Sequence, residues 1–348
     1  MNEPDLPLVS VVVPAYNSEA TIGACLSGLL SQTYPRVEIV VVDDGSTDRT
    51  GDICRAHEPL VRYVRQENAG SAAARNAAFA LARGDLIAFC DADDMFLPAY
   101  LDRAVDAYRE AGEGRHIVMC EALQLTATGV AHGRRLIGGH FPRRRQRLAI
   151  LQKNFLPILS VFPRELLDDV PGFAEDLDLV EDWEFWIRAV LAGWKVIFQS
   201  EPQALYRLSP GAKSTDERRH AAEDDIIRRV REQHWDVLSP EEQEFVSLRL
   251  TTRPPRLIDL LAGEALRERE DDRARVLYRQ LAAVSSEDPR VKARALLLGY
   301  VPGLTTLGRL RQRSIDARMG GRIQGPADGS HQRGAGADQT KDDKEIPS

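Results

Sequence analysis

The sequence predicts an α/β protein: a mostly parallel sheet sandwiched by helices, followed by a helical C-terminal region. Three observations carry this expectation. Short β-branched runs alternate with amphipathic or small-residue helical stretches over the first half of the chain, a pattern that builds parallel sheets covered on both faces. Several runs are continuously apolar, as strands buried on both faces must be. Each run also ends in a polar motif, and open α/β sheets bind ligands beyond the carboxyl ends of their strands.

The first run, Leu8 to Val13, breaks at Pro14, Ala15, Tyr16 and Asn17. Ser18 is placed to cap a helix whose Ile22, Leu26, Leu29 and Leu30 share one face. Val37 to Val42 is the second strand and stops at Asp43-Asp-Gly-Ser-Thr-Asp48. Leu60 to Val64 is the third, ending before Gln66-Glu-Asn-Ala-Gly70; a small-residue helix, Ser71 to Ala82, follows. Leu86 to Cys90 is the fourth, ending abruptly in Asp91, Asp93 and Asp94, with Pro98 starting the next helix. Right-handed crossovers bring all four polar ends to one edge.

That edge has the parts of a nucleoside diphosphate site. Three carboxylates within four residues repel one another and call for a cation, and hard ions such as Mg²⁺ or Mn²⁺ take carboxylate oxygens together with substrate phosphates. A solvated acidic turn is the plain alternative for the cluster taken alone. Asp44 can accept hydrogen bonds from a base or ribose, Gly45 lets the backbone pass close to a ligand, and Tyr16 offers a stacking face. Arg75 lies in the first turns of the small-residue helix, whose N-terminus favours anions; taken alone, Arg75 reads equally as a solvent-exposed helix residue and Tyr16 as core packing.

Beyond Leu101 the chain is helical and then passes into a strand at His116 to Cys120. Gly133 to Arg147 is basic, either a solvated face or a loop over an anionic ligand. Val170 to Trp186 runs from a Pro-Gly turn into an amphipathic helix with Trp183, Trp186, Ile187 and Val190 on its apolar side. Glu181 and Asp182 at its start either complement the helix dipole or supply a general base. Trp194 to Phe198 and Ala204 to Leu208 read as two returning strands. From Asp216 charged amphipathic helices take over: Ile226 to Trp235, Pro240 to Leu250, Leu257 to Arg269 and Asp272 to Val284. Val291 to Arg313 mixes leucines with basic residues, packing onto the domain or lying on a membrane surface.

With 348 residues there is ample length for one large domain and an appendage, and 46 basic against 53 acidic residues argue against general nucleic-acid binding. The four cysteines form no CxxC pair and read as reduced core residues of a cytoplasmic protein. The acidic N-terminus reads as no signal peptide, and no apolar run approaches the roughly 18 to 20 residues of a membrane span.

From Leu8 to Lys213 the chain resembles the inverting family-two glycosyltransferases of the GT-A fold. The resemblance rests on residues 9–17 (Val-Ser-Val-Val-Val-Pro-Ala-Tyr-Asn), 42–48 (Val-Asp-Asp-Gly-Ser-Thr-Asp), 68–76 (Asn-Ala-Gly-Ser-Ala-Ala-Ala-Arg-Asn) and 91–94 (Asp-Ala-Asp-Asp), in family order and spacing. It implies a GT-A-type, Rossmann-like domain over 1–215; the change of composition from Asp216 makes 216–318 a helical region, and the Gly-, Asp- and Lys-rich end, poor in apolar residues, reads as a disordered tail over 319–348. It implies a nucleotide-sugar donor held by Pro14, Ala15, Tyr16, Asn17, Asp43, Asp44, Asn68, Gly70, Arg75 and Asp91, a divalent metal (Mg²⁺ or Mn²⁺) on Asp93 in a DXD-type motif, and Asp182 as the base. The acceptor would be a glycan, lipid-linked or other hydroxyl, in surface polysaccharide or glycoconjugate synthesis, and the protein cytoplasmic or peripheral at the inner face of the membrane. The segment from Tyr206 departs from the family pattern at Ser209, where many relatives carry histidine. Two other readings fit these residues less well. A sugar-1-phosphate nucleotidyltransferase needs a basic Gly-rich loop after the first strand, which Pro14–Asn17 does not offer. A non-catalytic sugar-nucleotide-binding module has no need of both Asp93 and Asp182.

Overall fold

The computed structural model describes residues 6–126, 129–137, 141–208 and 218–251, and beyond these 258, 262–263, 265–266, 270–284, 295 and 297–298. Ser209, the stretch around it, nearly all of 291–313 and the tail lie outside the described residues. The chain divides into two compact units, 1–251 and 252–348.

In the first unit, β1 (Val9–Ala15), β2 (Val37–Asp43), β3 (Val61–Arg65) and β4 (Leu86–Phe89) pair in parallel in the order β3-β2-β1-β4. The two-residue side-chain period of these strands feeds two cores. Val12, Val40, Val42, Ile87 and Phe89 enter one core, whereas Val11, Val13, Val41, Leu86 and Ala88 enter the other. α1 (Ile22–Leu30) and α4 (Tyr100–Glu110) contribute Leu26, Leu29, Leu101 and Val105 to the second core, and α3 (Ser71–Leu81) contributes Ala74, Ala78 and Phe79 to the first. Strand residues thus alternate between two helix-covered faces. α2 (Thr50–Arg55) lies between β2 and β3.

Past β4 the sheet becomes mixed. β5 (Met95–Phe96) is antiparallel to β9 (Lys195–Arg207), while β6 (His116–Thr126) runs parallel to β9. β8 (Ser160–Pro163) is antiparallel to both β4 and β6, and β7 (Gly129–Arg135) forms a hairpin with β6. The full order is β3-β2-β1-β4-β8-β6-β9-β5. The two returning strands expected between Trp194 and Leu208 are one strand, with its register against β6 shifting near Glu121.

Other differences have local causes. Ser18 does not cap α1 with its hydroxyl, which donates to the Tyr16 carbonyl; the Ser18 carbonyl instead accepts the Thr21 and Ile22 N–H groups. The helix after Pro98 begins at Tyr100, because Met95 and Phe96 are held as a strand and Leu97 N–H donates to the Gln203 carbonyl. The basic stretch 133–147 is not one loop: it contains the end of β7 and the start of α5 (Gln146–Gln152). Arg145 pairs with Glu241, and Arg147 with Glu242, both on α9 (Pro240–Thr251). Helices α9 and α8 (Arg219–His234) lie in the first unit, so the change of composition near Asp216 is not that unit's edge. α6 (Leu166–Asp169) precedes α7 (Glu181–Leu191), whose Trp183, Trp186, Ile187 and Val190 are buried as the pattern predicts.

In the second unit, α10 (Asp271–Val284) packs Ala274, Leu277, Tyr278 and Leu281 with Ile258, Ala262, Ala265 and Leu266. Among the described residues no helix is long and apolar enough to cross a membrane. All four cysteines are buried and free.

Candidate active site at the strand ends

The four polar strand ends meet. Asp44 N–H donates to the Ala15 carbonyl, and Asn17 N–H to Ser46 Oγ. Asn17, at φ 46°, returns its Oδ1 to the Thr47 N–H at 2.9 Å. Gly45 has φ +78°, and a Cβ there would lie 2.9 Å from the Asn68 backbone nitrogen. The glycine is therefore what lets the second and third strand ends touch. Tyr16 is half exposed beside them.

Asp43 and Asp44 are buried and internally partnered. Asp43 accepts from Ser46 N–H (2.8 Å) and the Tyr63 hydroxyl (2.6 Å), with Arg65 3.8 Å away. Burial and the Asp43 carboxylate together push the Tyr63 hydroxyl up to about 12. Asp44 accepts from Gln66 Nε2 and Ala69 N–H on one oxygen and from Gly70 N–H on the other. Asp43 thus holds its own turn to β3, and Asp44 shapes the loop carrying Asn68 and Gly70.

The turn after β4 differs. Asp91, Asp93 and Asp94 each present a carboxylate oxygen, all within 4.8 Å of one another. Burial and the Asp91 charge push Asp93 up to about 6, and Asp94, more deeply buried, is pushed well above the usual range by the same two causes and Asp93. One Asp94 oxygen accepts from Arg207 N–H at 2.8 Å, whereas its Oδ2 is buried without a hydrogen-bond partner. Arg207 Nε donates to the Asp93 carbonyl. Clustered oxygens, one of them orphaned, fit a hard divalent cation.

Arg75 is buried rather than solvent-facing. It donates to Asp91 (2.8 Å) and Glu181 (2.9 Å), and its guanidinium lies 5.3 Å from the Phe173 ring centroid. Ser71 Oγ also donates to Glu181, at 2.7 Å. The arginine therefore ties the acidic turn to the start of α7, where Val180 adopts φ 58°. A β-branched residue in that region carries strain of about 1–3 kcal/mol. Asp182 follows, half-buried, accepting from Trp183 N–H on one oxygen and Asn154 Nδ2 on the other. Burial and Glu181 push it up to about 6, against the opposing charges of Arg75 and Arg219. Burial and the charges of Asp94, Asp91, Asp93 and Asp182 push the Tyr206 hydroxyl up.

Pattern reading did not single out Ser71, Asn154 or Arg207. Ser71 and Arg207 stood inside stretches already flagged, but Asn154 lies in a loop with no motif to mark it.

A family profile described as glycosyl transferase family 2 matches residues 10–169. The glycosyltransferase AglE of Haloferax volcanii is 32% identical over 200 residues, covering 56% of this chain and 64% of that protein. Four other relatives are covered over only 14% to 37% of their own lengths. Among solved structures, residues 1–349 of S. aureus TarS in complex with UDP-GlcNAc superpose with a TM-score of 0.57 at 20% identity, over 90% of this chain and 92% of that one. The mannosyltransferase PcManGT of Pyrobaculum calidifontis, in complex with GDP-Man and Mn²⁺, gives 0.55 at 21% identity, over 90% of each chain. The fold is the GT-A fold that the motifs imply.

Proposed function

We propose that this chain, a member of glycosyl transferase family 2 through residues 10–169, moves a sugar from a nucleotide-diphosphate donor to an acceptor hydroxyl with inversion at the anomeric carbon. The observation that carries the reading is the buried Arg75 bridge, which joins the acidic turn at Asp91 to the helix that presents Asp182. The glycosyltransferase domain is taken as 1–215, and α8 and α9, the first part of the helical region 216–318, belong to the same compact unit as that domain.

Pro14 to Asn17 and the loops shaped by Asp43 and Asp44, including Asn68 and Gly70, form the donor cradle, with Tyr16 as its stacking face. Asp93, with Asp91, would hold a divalent metal, which supplies charge neutralisation for the departing diphosphate. The orphaned Asp94 oxygen supports that assignment, as does the Mn²⁺ of the PcManGT complex. Arg75 holds Asp91 and Glu181 in place through its two ion pairs. Asp182 takes the proton of the acceptor hydroxyl as its oxygen bonds to the anomeric carbon and the bond to the diphosphate oxygen breaks. A carboxyl pushed up to about 6 suits a base working at neutral pH, ionised yet stronger than an exposed aspartate. The acceptor belongs to surface polysaccharide or glycoconjugate synthesis, on the cytoplasmic side.

Thermal shift with UDP-N-acetylglucosamine and GDP-mannose, with and without Mn²⁺, tests the donor site. One donor should raise Tm only with the metal, and Asp93→Asn should abolish the rise. Asp182→Asn should keep it while lowering turnover by about 10²- to 10⁴-fold. A donor shift that ignores both the metal and Asp93 would overturn the assignment.

A further inference from the structure

Asp182 is held by two donors of different kinds. Trp183 N–H belongs to the same helix turn, at 2.8 Å from Oδ1. Asn154 Nδ2, at 2.9 Å from Oδ2, comes from the loop between α5 and β8. The amide of Asn154 has a single sensible orientation, because its Oδ1 accepts from Leu156 N–H at 3.1 Å. Its neighbours are anchored as well. Trp183 Nε1 donates to the Ile150 carbonyl, and Arg249 of α9 donates to the Leu151 and Gln152 carbonyls at the end of α5. The same guanidinium lies 5.3 Å from the Trp183 ring centroid. Phe155 and Leu156, just beyond, are buried. A loop pinned on both sides therefore delivers one neutral donor to one carboxylate oxygen.

We infer that Asn154 is the positioning residue for Asp182: its amide fixes the carboxylate's orientation and favours its ionised form, while α9 fixes the loop that carries Asn154. The inference rests on Asp182 being the base. An N–H donor to a carboxylate stabilises the charged form, and the Asn154 amide supplies one at 2.9 Å, while burial and the Glu181 charge disfavour ionisation. Among the described residues, the other charged or titratable groups that act on Asp182 or on which it acts are Arg75 from α3, Arg219 from α8 and Tyr206 from β9. None of them is altered by replacing Asn154.

Two variants separate this role from a merely structural one. Asn154→Ala loses both hydrogen bonds. Asn154→Asp keeps an oxygen for Leu156 N–H but turns the donor into a like charge. The readout is the titration of Asp182 in the full-length, metal-free chain, followed by carboxylate ¹³C resonances and assigned by the line that Asp182→Asn removes. Its midpoint should rise by about one pH unit in Asn154→Ala and further in Asn154→Asp. Mn²⁺-dependent hydrolysis of UDP-N-acetylglucosamine or GDP-mannose should fall by about 10- to 100-fold in both, with its acid limb moved upward. A structural role predicts that Asn154→Asp behaves like the parent. An unchanged Asp182 midpoint in Asn154→Asp overturns the inference. Asp182→Asn, assayed in parallel, reports separately on the base: retained turnover there removes the base assignment, while the titration still decides whether Asn154 governs Asp182.

Discussion

The acidic turns after β2 and β4 stand at the same edge of the same parallel sheet, yet they solve the problem of buried negative charge in opposite ways. Asp43 and Asp44 accept from Ser46, Tyr63, Gln66, Ala69 and Gly70, so the fold itself supplies the compensation. Asp91 has Arg75, but Asp93 and Asp94 are left short of donors, and both drift toward the protonated form. Charge that the protein satisfies internally is architecture. Charge that it leaves unsatisfied, at a place where three oxygens converge, awaits a proton or a cation. Sequence composition hardly distinguishes Asp-Asp-Gly from Asp-Ala-Asp-Asp; the donors around them do.

The comparison is broken most severely at Asp44. Asparagine has one acceptor oxygen where three N–H donors converge on two, so its amide must face a donor in either orientation. Asp44→Asn should lower stability by about 2–4 kcal/mol, since hydrogen bonds to a buried charge are the strong kind, read by urea denaturation. A loss below about 0.5 kcal/mol would mean that this turn is not internally held. Asp93→Asn should act in the opposite direction. A carboxyl whose folded pKa is raised from 3.8 to about 6 contributes stability below its unfolded value and loses it as pH rises through about 6. Metal-free wild type should therefore weaken between about pH 4 and 6.5, by on the order of 1–3 kcal/mol. Asp93→Asn should lack that slope and be the more stable protein at pH 7 in EDTA. An identical pH slope in the two proteins would show that Asp93 is not the strained member of the trio.

The four parallel strands and their polar ends were legible because each is a contiguous run whose meaning is local. A continuous apolar run marks burial on two faces, and right-handed crossover dictates where the ends go. β5, β7 and β8 were missed for the opposite reason. Met95–Phe96 and Ser160–Pro163 are too short to show a period, and they exist only because β9 and β4 offer hydrogen bonds to them. The same divide runs through the site. Asp91, Asp93, Asp182 and Arg75 stand out by residue type, but Arg75 reads as an anion-facing helix residue until Glu181, 106 positions away, is seen to claim half of its guanidinium. Asn154 carries no local signal at all, since its partner lies 28 residues further on.

The smallest expected effect sharpens the contrast by asking which partner compensates Asp43. Three candidates surround it: Ser46 N–H, the Tyr63 hydroxyl and the Arg65 guanidinium. Arg65 alone carries a full charge, and Coulomb's law would seem to favour it. Its side chain, however, is 54% exposed and its Nε stands 3.8 Å from Asp43 Oδ2, with no hydrogen bond between them. At such a position water and salt screen most of the attraction, and pairs of this kind contribute about 0–1 kcal/mol. Tyr63 donates at 2.6 Å to a carboxylate that is 1% exposed, and losing a hydrogen bond to a buried charge costs about 1.5–3 kcal/mol. Arg65→Ala should therefore change stability by less than about 1 kcal/mol, part of that from its contact with the Ser46 carbonyl, and the change should shrink further in 0.5 M salt. Tyr63→Phe should cost more than Arg65→Ala at every ionic strength. The reverse order would make Asp43 a charge held by another charge. The turn after β2 would then differ from the turn after β4 only in having its cation built in, rather than in relying on neutral donors.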